Sequence, residues 1–131
     1  MKLGYTIAYV SDVAESIAFY EHAFGLKRRF IHESGQYGEL ETGETTLSFA
    51  SHALGKSNFK NGYVEADKSE KPLGIEIALV TPDVQAAHKH AVSTGATELK
   101  APETKPWGQV VSYVRCPDGT LVELCSPIGR E

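Results

Sequence analysis

The chain has 131 residues, of which 41% are hydrophobic and 23% charged, and its formal net charge is −4. This length and composition predict one globular domain with a normal core. The charge gives no electrostatic basis for binding nucleic acid, and no apolar run approaches the roughly 18 residues that a membrane span needs. Met1 leads directly into strand-like sequence rather than a signal peptide, so we expect a cytoplasmic protein that engages neither nucleic acid nor membrane.

The first half of the chain begins with a strand and a capped helix. Tyr5–Val10 is β-prone, and Asp12 with Glu15 forms a capping-box pattern. A helix is therefore expected from about Val13–Phe24, and Gly25 supplies its C-terminal stop. Three further strands are predicted, at Leu26–His32, Tyr37–Glu41 and Thr46–Ala50.

A two-residue turn at Gly43 and Glu44 joins the last two of these strands. This turn sets Ser48 opposite Glu39 and leaves an apolar row facing the helix, formed by Leu40, Leu47 and Phe49. The next stretch, His52–Pro72, is rich in Ser, Asn, Lys, Gly and Asp. It predicts a loop or linker with at most one short strand near 62–66.

The pattern of the first half then returns. Ile75–Val80 predicts a strand, Asp83 caps a helix expected over about Val84–Thr94, and Gly95 ends it. The segment from Tyr5 to Val13 matches the segment from Glu76 to Val84 in length and in the switch from strand to capped helix. We interpret this recurrence as an internal duplication of a βαβββ unit, with modules at about 1–55 and 73–131 joined by a linker at 56–72 within a single domain 1–131.

The C-terminal part predicts a β-hairpin. Two β-favouring runs flank Pro117, Asp118 and Gly119, a loop that suits a type I turn followed by a left-handed glycine. If Cys116 and Thr120 close the loop, the register places Tyr113, Arg115 and Glu123 on one face of the sheet. The opposite face is an apolar row suited to packing under a helix, formed by Val114, Val122 and Leu124.

The chain contains two cysteines, Cys116 and Cys125, which fall in the two strands of this hairpin. They have neither Cys-x-x-Cys nor zinc-ligand spacing. The predicted register pairs Cys116 with Thr120 rather than with Cys125. We therefore expect two free thiols that pack as small apolar groups.

The hairpin resembles that of a known superfamily. Pro117-Asp118-Gly119 followed by Val122-Glu123-Leu124, with Trp107-Gly108 upstream, is similar to the C-terminal hairpin of the vicinal oxygen chelate superfamily, which includes glyoxalase I, bleomycin-resistance proteins and extradiol dioxygenases. That superfamily is built from paired βαβββ modules, so the resemblance extends over the whole chain. It implies an α+β fold in which two tandem modules with curved mixed sheets enclose a pocket, and it implies a homodimer.

The resemblance also implies where the site lies. In metal-dependent members the ligands come from the first and last strands of each module, which here correspond to Tyr5, Ser48, Glu76 and Glu123. Only Glu123 matches the usual ligand type, because histidine is typical at the positions of Tyr5 and Glu76. Two carboxylates, a phenol and a hydroxyl suit zinc, nickel or iron poorly, so we predict no metal and no cofactor, with an oxygen-only magnesium or manganese site left open.

None of the five histidines supplies the missing ligand in this interpretation. His22, His88 and His90 fall on predicted helices, where a surface role is expected. His52 begins the linker. His32, at a strand end, is interpreted as structural or solvent-facing rather than as a ligand.

Without a metal, Glu76 and Glu123 are the candidate catalytic residues. Two carboxyl groups in proximity raise one pKa, which gives a base and an acid suited to removing a proton next to a carbonyl. The alternative is a structural network in which Arg115 pairs with Glu123 and a tyrosine hydrogen-bonds the other carboxylate. The candidate ligand-binding residues are Tyr5, Ser48, Trp107, Tyr113 and Arg115, although Trp107 could equally be a dimer contact or a loop anchor.

Two functions of the protein that involve a small-molecule ligand remain open. The first is a lyase or isomerase of the glyoxalase type that acts on a small carbonyl or thioester compound. The second is a metal-free sequestering protein that resembles bleomycin-resistance proteins and holds a cationic drug or metabolite in an acidic, aromatic cavity. A regulatory or scaffold module is a third possibility, since a fold does not dictate function.

Overall fold

The computed structural model describes residues 1–128. The chain divides into two compact units, Met1–Ser69 and Glu70–Glu131, the second of which is described as far as Ile128. Each unit contains one four-stranded mixed sheet. Within the described residues no helix is both long and apolar enough to cross a membrane.

The first unit follows the predicted βαβββ order and then adds two short helical elements. Its sheet has the order β1-β4-β3-β2, in which β1 and β4 are parallel and the other pairs antiparallel. The elements in chain order are β1 (Tyr5–Val10), α1 (Val13–Phe24), β2 (Lys27–Ile31), β3 (Tyr37–Glu41), β4 (Thr46–Ser51), α2 (His52–Asn58) and a 3₁₀ turn (Ala66–Lys68).

Helix α1 begins and ends as its sequence predicts. The Asp12 carboxylate accepts a hydrogen bond from the Glu15 backbone N–H, and Gly25 closes the helix with a left-handed φ of 68°. The helix buries Ile17 and Tyr20 against the sheet, where the Tyr20 ring centroid lies 4.9 Å from that of Phe49. The predicted pairing of Glu39 with Ser48 is confirmed.

The second unit repeats the βαβββ order. Its sheet has the order β5-β8-β7-β6, with β5 and β8 parallel. The elements are β5 (Glu76–Val80), α3 (Val84–Thr94), β6 (Thr97–Thr104), β7 (Val110–Arg115) and β8 (Leu121–Cys125). The predicted α+β fold of two tandem βαβββ modules is therefore confirmed.

The β7–β8 hairpin has the predicted register. The Gly119 N–H donates to the Cys116 carbonyl at 2.8 Å, and the Cys116 N–H donates to the Thr120 carbonyl at 2.9 Å. Tyr113 consequently pairs with Glu123. Both cysteines are buried and neither forms a disulfide, as predicted.

The two sheets share an irregularity at equivalent positions. The register of β2 against β3 shifts between Arg28 and Phe30, and that of β6 against β7 shifts between Glu98 and Lys100. Each shift is a β-bulge, in which one extra residue bends the strand and changes the faces onto which side chains point. The pairings β1 with β4 and β5 with β8 also match, because Ile7 faces Ser48 as Ala78 faces Glu123.

Two local predictions were wrong, the one for the stretch after Ser51 and the one for His88. The stretch after Ser51 was predicted as a loop, but it contains helix α2, whose N-terminus is capped by the Ser51 hydroxyl through the Leu54 N–H. No strand forms near 62–66. His88, predicted to lie on the surface, is 5% exposed because its position on α3 faces the sheet.

Candidate functional site

Two carboxylates of the second unit lie on the face of the sheet that α3 does not cover. Glu123 pairs with Ala78 across β8 and β5, and Glu76 lies two residues before Ala78, so strand alternation puts both side chains on the same face. Tyr113, directly opposite Glu123 on β7, points the same way. The apolar row behind them, predicted to pack under a helix, is buried: Val114, Val122 and Leu124.

The two carboxyl groups interact. A hydrogen bond with Glu123, followed by burial and by the negative charge of Glu123, raises the pKa of Glu76 to about 7. One group of the pair therefore titrates near neutral pH, which suits a residue that must give and take a proton. The catalytic roles of the two residues remain predictions.

Three neighbouring groups complete the surroundings of this pair. Burial and the charges of Glu123 and Glu76 raise the pKa of the Tyr113 hydroxyl, which therefore stays protonated. Burial and the charge of Glu123 likewise raise the pKa of the Cys125 thiol. Lys105 is a cation that the sequence analysis did not select. Its ammonium donates to a Glu103 carboxylate oxygen at 2.8 Å and is also attracted by Glu123.

The other two predicted residues of this unit lie near its turns. The Arg115 guanidinium donates to the Gly119 and Glu70 carbonyl oxygens, at 3.3 and 3.1 Å. Trp107 is 61% exposed, and its indole N–H donates to the Gln109 side-chain oxygen at 2.9 Å. Trp107 is therefore exposed and also bonded within its own loop, and its role in ligand binding remains a prediction.

In the first unit, Tyr5 and Ser48 lie on β1 and β4, the first and last strands of the module. Tyr5 is 56% exposed, whereas Ser48 is fully buried and its hydroxyl has no hydrogen-bond partner of good geometry among residues 1–128. Their roles in ligand binding remain predictions.

The face of this first sheet carries a satisfied ionic network rather than a bare carboxylate pair. The Arg29 guanidinium donates to Glu39 at 2.7 Å and to both carboxylate oxygens of Glu41 at 2.9 and 3.2 Å. The Tyr37 hydroxyl donates to the second Glu39 oxygen at 2.7 Å. In the first unit an arginine thus lies between two carboxylates of this face, whereas in the second unit Glu76 and Glu123 are hydrogen-bonded to each other.

The four residues at the superfamily's metal-ligand positions do not fit its usual metals. Tyr5, Ser48, Glu76 and Glu123 offer oxygen atoms only, whereas zinc, nickel and iron favour imidazole. A carboxyl group with a pKa of about 7 is also a weak ligand at neutral pH, since it must first lose its proton. We therefore derive no chemical step through a metal at these four positions.

A second polar cluster, which sequence reasoning missed, lies at the start of α2. His52, Glu65 and Asp67 each offer a ligand atom, and these atoms lie within 4.8 Å of one another. Hydrogen bonding from Lys56 and Lys68, despite burial, lowers the pKa of Glu65 to about 2. The signal in the sequence is a histidine followed by a Glu-x-Asp pattern, which was not recognised because the whole stretch was interpreted as a linker.

A third polar group is enclosed beneath α3. His88 contacts the Ser112 hydroxyl through Nδ1 at 2.9 Å and the Glu98 carboxylate through Nε2 at 2.7 Å. Hydrogen bonds thus link a serine, a histidine and a glutamate in a row. Ser112 is completely buried, however, so no substrate could reach its hydroxyl. The group satisfies a buried histidine and is structural.

A separate groove of about 330 Å³ lies where the start of α3 meets β6 and the ends of β7 and β8. The carboxyl pair is not part of its lining, which consists of Pro82, Asp83, Val84, Gln85, Pro102, Glu103, Thr104, Val110 and Ser126. Its carboxylates are those of Asp83, which caps α3, and Glu103, which forms ion pairs with Lys100 and Lys105. Both carboxylates therefore already have partners.

Comparisons with known proteins agree with this architecture. The sequence profile of the glyoxalase/bleomycin resistance protein/dioxygenase superfamily matches residues 2–124. No curated protein matches the sequence significantly.

Solved structures with the same fold include three bacterial proteins. A glyoxalase-related enzyme from Fulvimarina pelagi is 18% identical, with a TM-score of 0.81 over 97% of this chain and 88% of its own. A family enzyme from Burkholderia phytofirmans is also 18% identical, with a TM-score of 0.80 over 96% of this chain and 98% of its own. A superfamily member from Sphaerobacter thermophilus is 23% identical, with a TM-score of 0.73 over 97% of this chain and 98% of its own.

Proposed function

Because the chain belongs to the glyoxalase/bleomycin resistance protein/dioxygenase superfamily, we propose that it is a small-molecule enzyme of the lyase or isomerase type. Its substrate would be a small carbonyl or thioester compound, from which a proton is removed next to the carbonyl carbon. The observation that carries this proposal is the pair formed by Glu76 and Glu123, in which the pKa of Glu76 is about 7.

The two carboxyl groups divide the proton transfers between them. Glu123 acts as the base: its carboxylate takes the proton from the carbon next to the carbonyl, and the electron pair of the broken C–H bond forms an enolate. Glu76, which holds a proton near neutral pH, returns one to the carbon or oxygen of that enolate. The protonated Tyr113 hydroxyl is placed on the same face and can donate a hydrogen bond to the developing negative oxygen.

The proposal is tested by proton exchange. A panel of small α-hydroxy carbonyl compounds and acyl thioesters is incubated with the protein in deuterated water, and deuterium uptake next to the carbonyl is followed by NMR. We expect exchange with the wild-type protein and a loss of about 100-fold or more in Glu123→Gln.

Glu44→Gln, which alters an exposed carboxylate in a turn of the first unit, is the matched control. The control should exchange like the wild-type protein. Exchange at the wild-type rate in Glu123→Gln would remove Glu123 from the reaction.

A second function, sequestration of a cationic aromatic ligand, is supported by the exposed ring of Trp107 in the unit that carries the carboxyl pair. Carboxylates and aromatic rings both attract cations, and the net charge of −4 acts in the same direction. Calorimetric titration with a cationic aromatic drug, without product formation, would favour this function. Catalytic turnover of a carbonyl substrate would exclude it.

We also propose that the chain forms a homodimer. Strands β1 and β5 carry or adjoin exposed apolar side chains, among them Ile7 at 45%, Ile75 at 77% and Val80 at 66%. Large apolar side chains grouped on a strand are more typical of a contact surface than of a solvent-facing one.

A further inference from the structure

We infer that His52, Glu65 and Asp67 form a zinc site, remote in sequence from the carboxyl pair of the second unit. All three side chains are largely buried, with exposed fractions of 12%, 12% and 17%. They come from two segments, the first turn of α2 and the 3₁₀ turn with the residue directly before it. One imidazole with two carboxylates is a donor set that zinc accepts.

The distances between the three ligand atoms are also compatible with a bound metal ion. His52 Nε2 lies 3.3 Å from Asp67 Oδ1 and 3.5 Å from Glu65 Oε1. The contact with Asp67 is a hydrogen bond longer than the usual value of about 2.9 Å, and the contact with Glu65 is longer still. Ligand atoms about 2.1 Å from a tetrahedral zinc are separated from one another by about 3.4 Å, so these two distances are those of adjacent corners of a zinc tetrahedron.

The outer contacts orient the ligands. His52 Nδ1 lies 2.8 Å from the Tyr63 hydroxyl. When Nδ1 carries the proton and donates a hydrogen bond to this hydroxyl, Nε2 has a free lone pair that is directed at the two carboxylates. The Ser11 hydroxyl donates to Asp67 Oδ2, so that Oδ1 remains for the metal. These partners fix the imidazole and one carboxylate in the orientation that coordination requires.

Two lysines now neutralise the cluster and would compete with zinc. Lys56 Nζ lies 2.7 Å from Glu65 Oε2, and Lys68 Nζ lies 3.2 Å from Glu65 Oε1. Both lysine side chains are well exposed, at 56% and 73%, and can swing into solvent when a divalent cation arrives. On binding, the zinc ion therefore replaces the two lysines as the positive charge beside Glu65. It has three protein ligands and a fourth position left for water.

The test is a calorimetric titration of the chelator-treated, full-length protein with zinc chloride, paired with cobalt(II) binding followed by visible absorption. We expect one zinc per chain and the intense visible bands of tetrahedral cobalt. His52→Ala and Asp67→Asn should each weaken zinc binding at least tenfold, whereas His90→Gln, which changes an exposed histidine, should not. Lys56→Gln should strengthen it several-fold, because a competing cation is removed.

A wild-type protein that takes up no zinc, or zinc affinity that is the same in Asp67→Asn as in the wild type, would overturn the inference. Asp67→Asn keeps the size of the side chain, so the test stands even where His52→Ala fails to fold. Unchanged or weaker binding in Lys56→Gln would likewise contradict competition by the lysines and with it the proposed exchange of charge.

Discussion

Glu76 and Glu123 lie on one face of neighbouring parallel strands, offset by two positions, and the hydrogen bond between their carboxyl groups is the main cause of the raised pKa of Glu76. This offset allows the two carboxyl groups to reach each other. A residue directly opposite Glu123 is Ala78, whose methyl group leaves room for the longer Glu76 side chain to reach across. Everything proposed about catalysis follows from this diagonal contact.

This contact predicts how stability depends on pH. A carboxyl group whose folded-state pKa is raised binds more protons in the folded than in the unfolded protein between its ordinary pKa near 4.5 and about 7. The free energy of unfolding should therefore fall as pH rises through that window and change no further above it. Because Glu76 is exposed, solvent screening reduces the effect to about 1 kcal/mol.

Glu76→Gln, which cannot ionise, should lose this part of the pH dependence and be more stable than the wild type above pH 7. Urea denaturation at pH 5, 6, 7 and 8 measures both proteins. Curves that stay parallel over this range would show that Glu76 titrates normally.

The exposure of Trp107 leads to a prediction about ligand binding. The residue is 61% exposed, it lies in the unit that carries the carboxyl pair, and it is the only tryptophan in the chain. We expect Trp107→Ala to weaken ligand binding about tenfold, or about 1.4 kcal/mol, while the thermal midpoint hardly changes. Trp107→Phe should retain most of the affinity. Wild-type affinity in Trp107→Ala would assign the residue to another role.

Helix α1 approaches β3 closely at Gly38. A methyl group there would lie 2.5 Å from Ile17 Cδ1 and 3.2 Å from the Phe30 carbonyl oxygen. Because Phe30 O belongs to the backbone and cannot move freely, Gly38→Ala should destabilise the fold by about 1–3 kcal/mol. Gly4→Ala, where a methyl group meets nothing within 4 Å, is the control in chemical denaturation. Equal midpoints for the two variants would show that α1 can move away at little cost.

The network around Glu39 predicts the effect of removing one hydroxyl. Tyr37→Phe deletes the donor to Glu39 Oε2 and leaves a carboxylate that is only 8% exposed with one fewer partner. We expect a loss of about 1–2 kcal/mol. Tyr5→Phe, at an exposed tyrosine of the same unit, should change the free energy of unfolding little. Chemical denaturation of the two variants and the wild type measures these changes. An unchanged free energy of unfolding in Tyr37→Phe would mean that Arg29 alone satisfies Glu39.

The proposed homodimer is tested at β5. Val80→Lys places a charge on an exposed apolar strand position, at 66% exposure, and should shift sedimentation from dimer toward monomer. Val64→Lys, at a valine of similar exposure outside the strands, should not. A wild-type protein that sediments as a monomer at all concentrations would rule the dimer out.

Much of the fold could be predicted because local signals and register agreed. Asp12 and Asp83 capped the helices, Gly25 and Gly95 ended them, and the Asp118-Gly119 turn fixed which residues share a face with Glu123. Helix α2 was missed because its composition, His52–Asn58, contains Gly, Ser and Asn, residues that favour loops. Its stability comes from the Ser51 cap and from tertiary contacts, which composition does not reveal.

The polar groups were harder to predict than the elements. Arg29 and Glu98 reach their partners from the first strand after each helix, where a bulge interrupts the alternation from which side-chain direction is inferred. His88 was placed on the surface because a histidine within a helix usually is, yet the fold supplies it with Ser112 and Glu98. Such pairings depend on contacts between distant residues, and the sequence of a single chain does not specify them.

The matching bulges also carry information about descent. Two bulges at the same register are most simply inherited from one ancestral half-length chain that was copied and fused, since separate origins would need two independent insertions. The side chains at the extra residue have since diverged, because Arg29 neutralises two carboxylates whereas Leu99 carries no charge. The backbone has thus kept the same irregularity in both halves, while the side chain at that position has come to differ in charge.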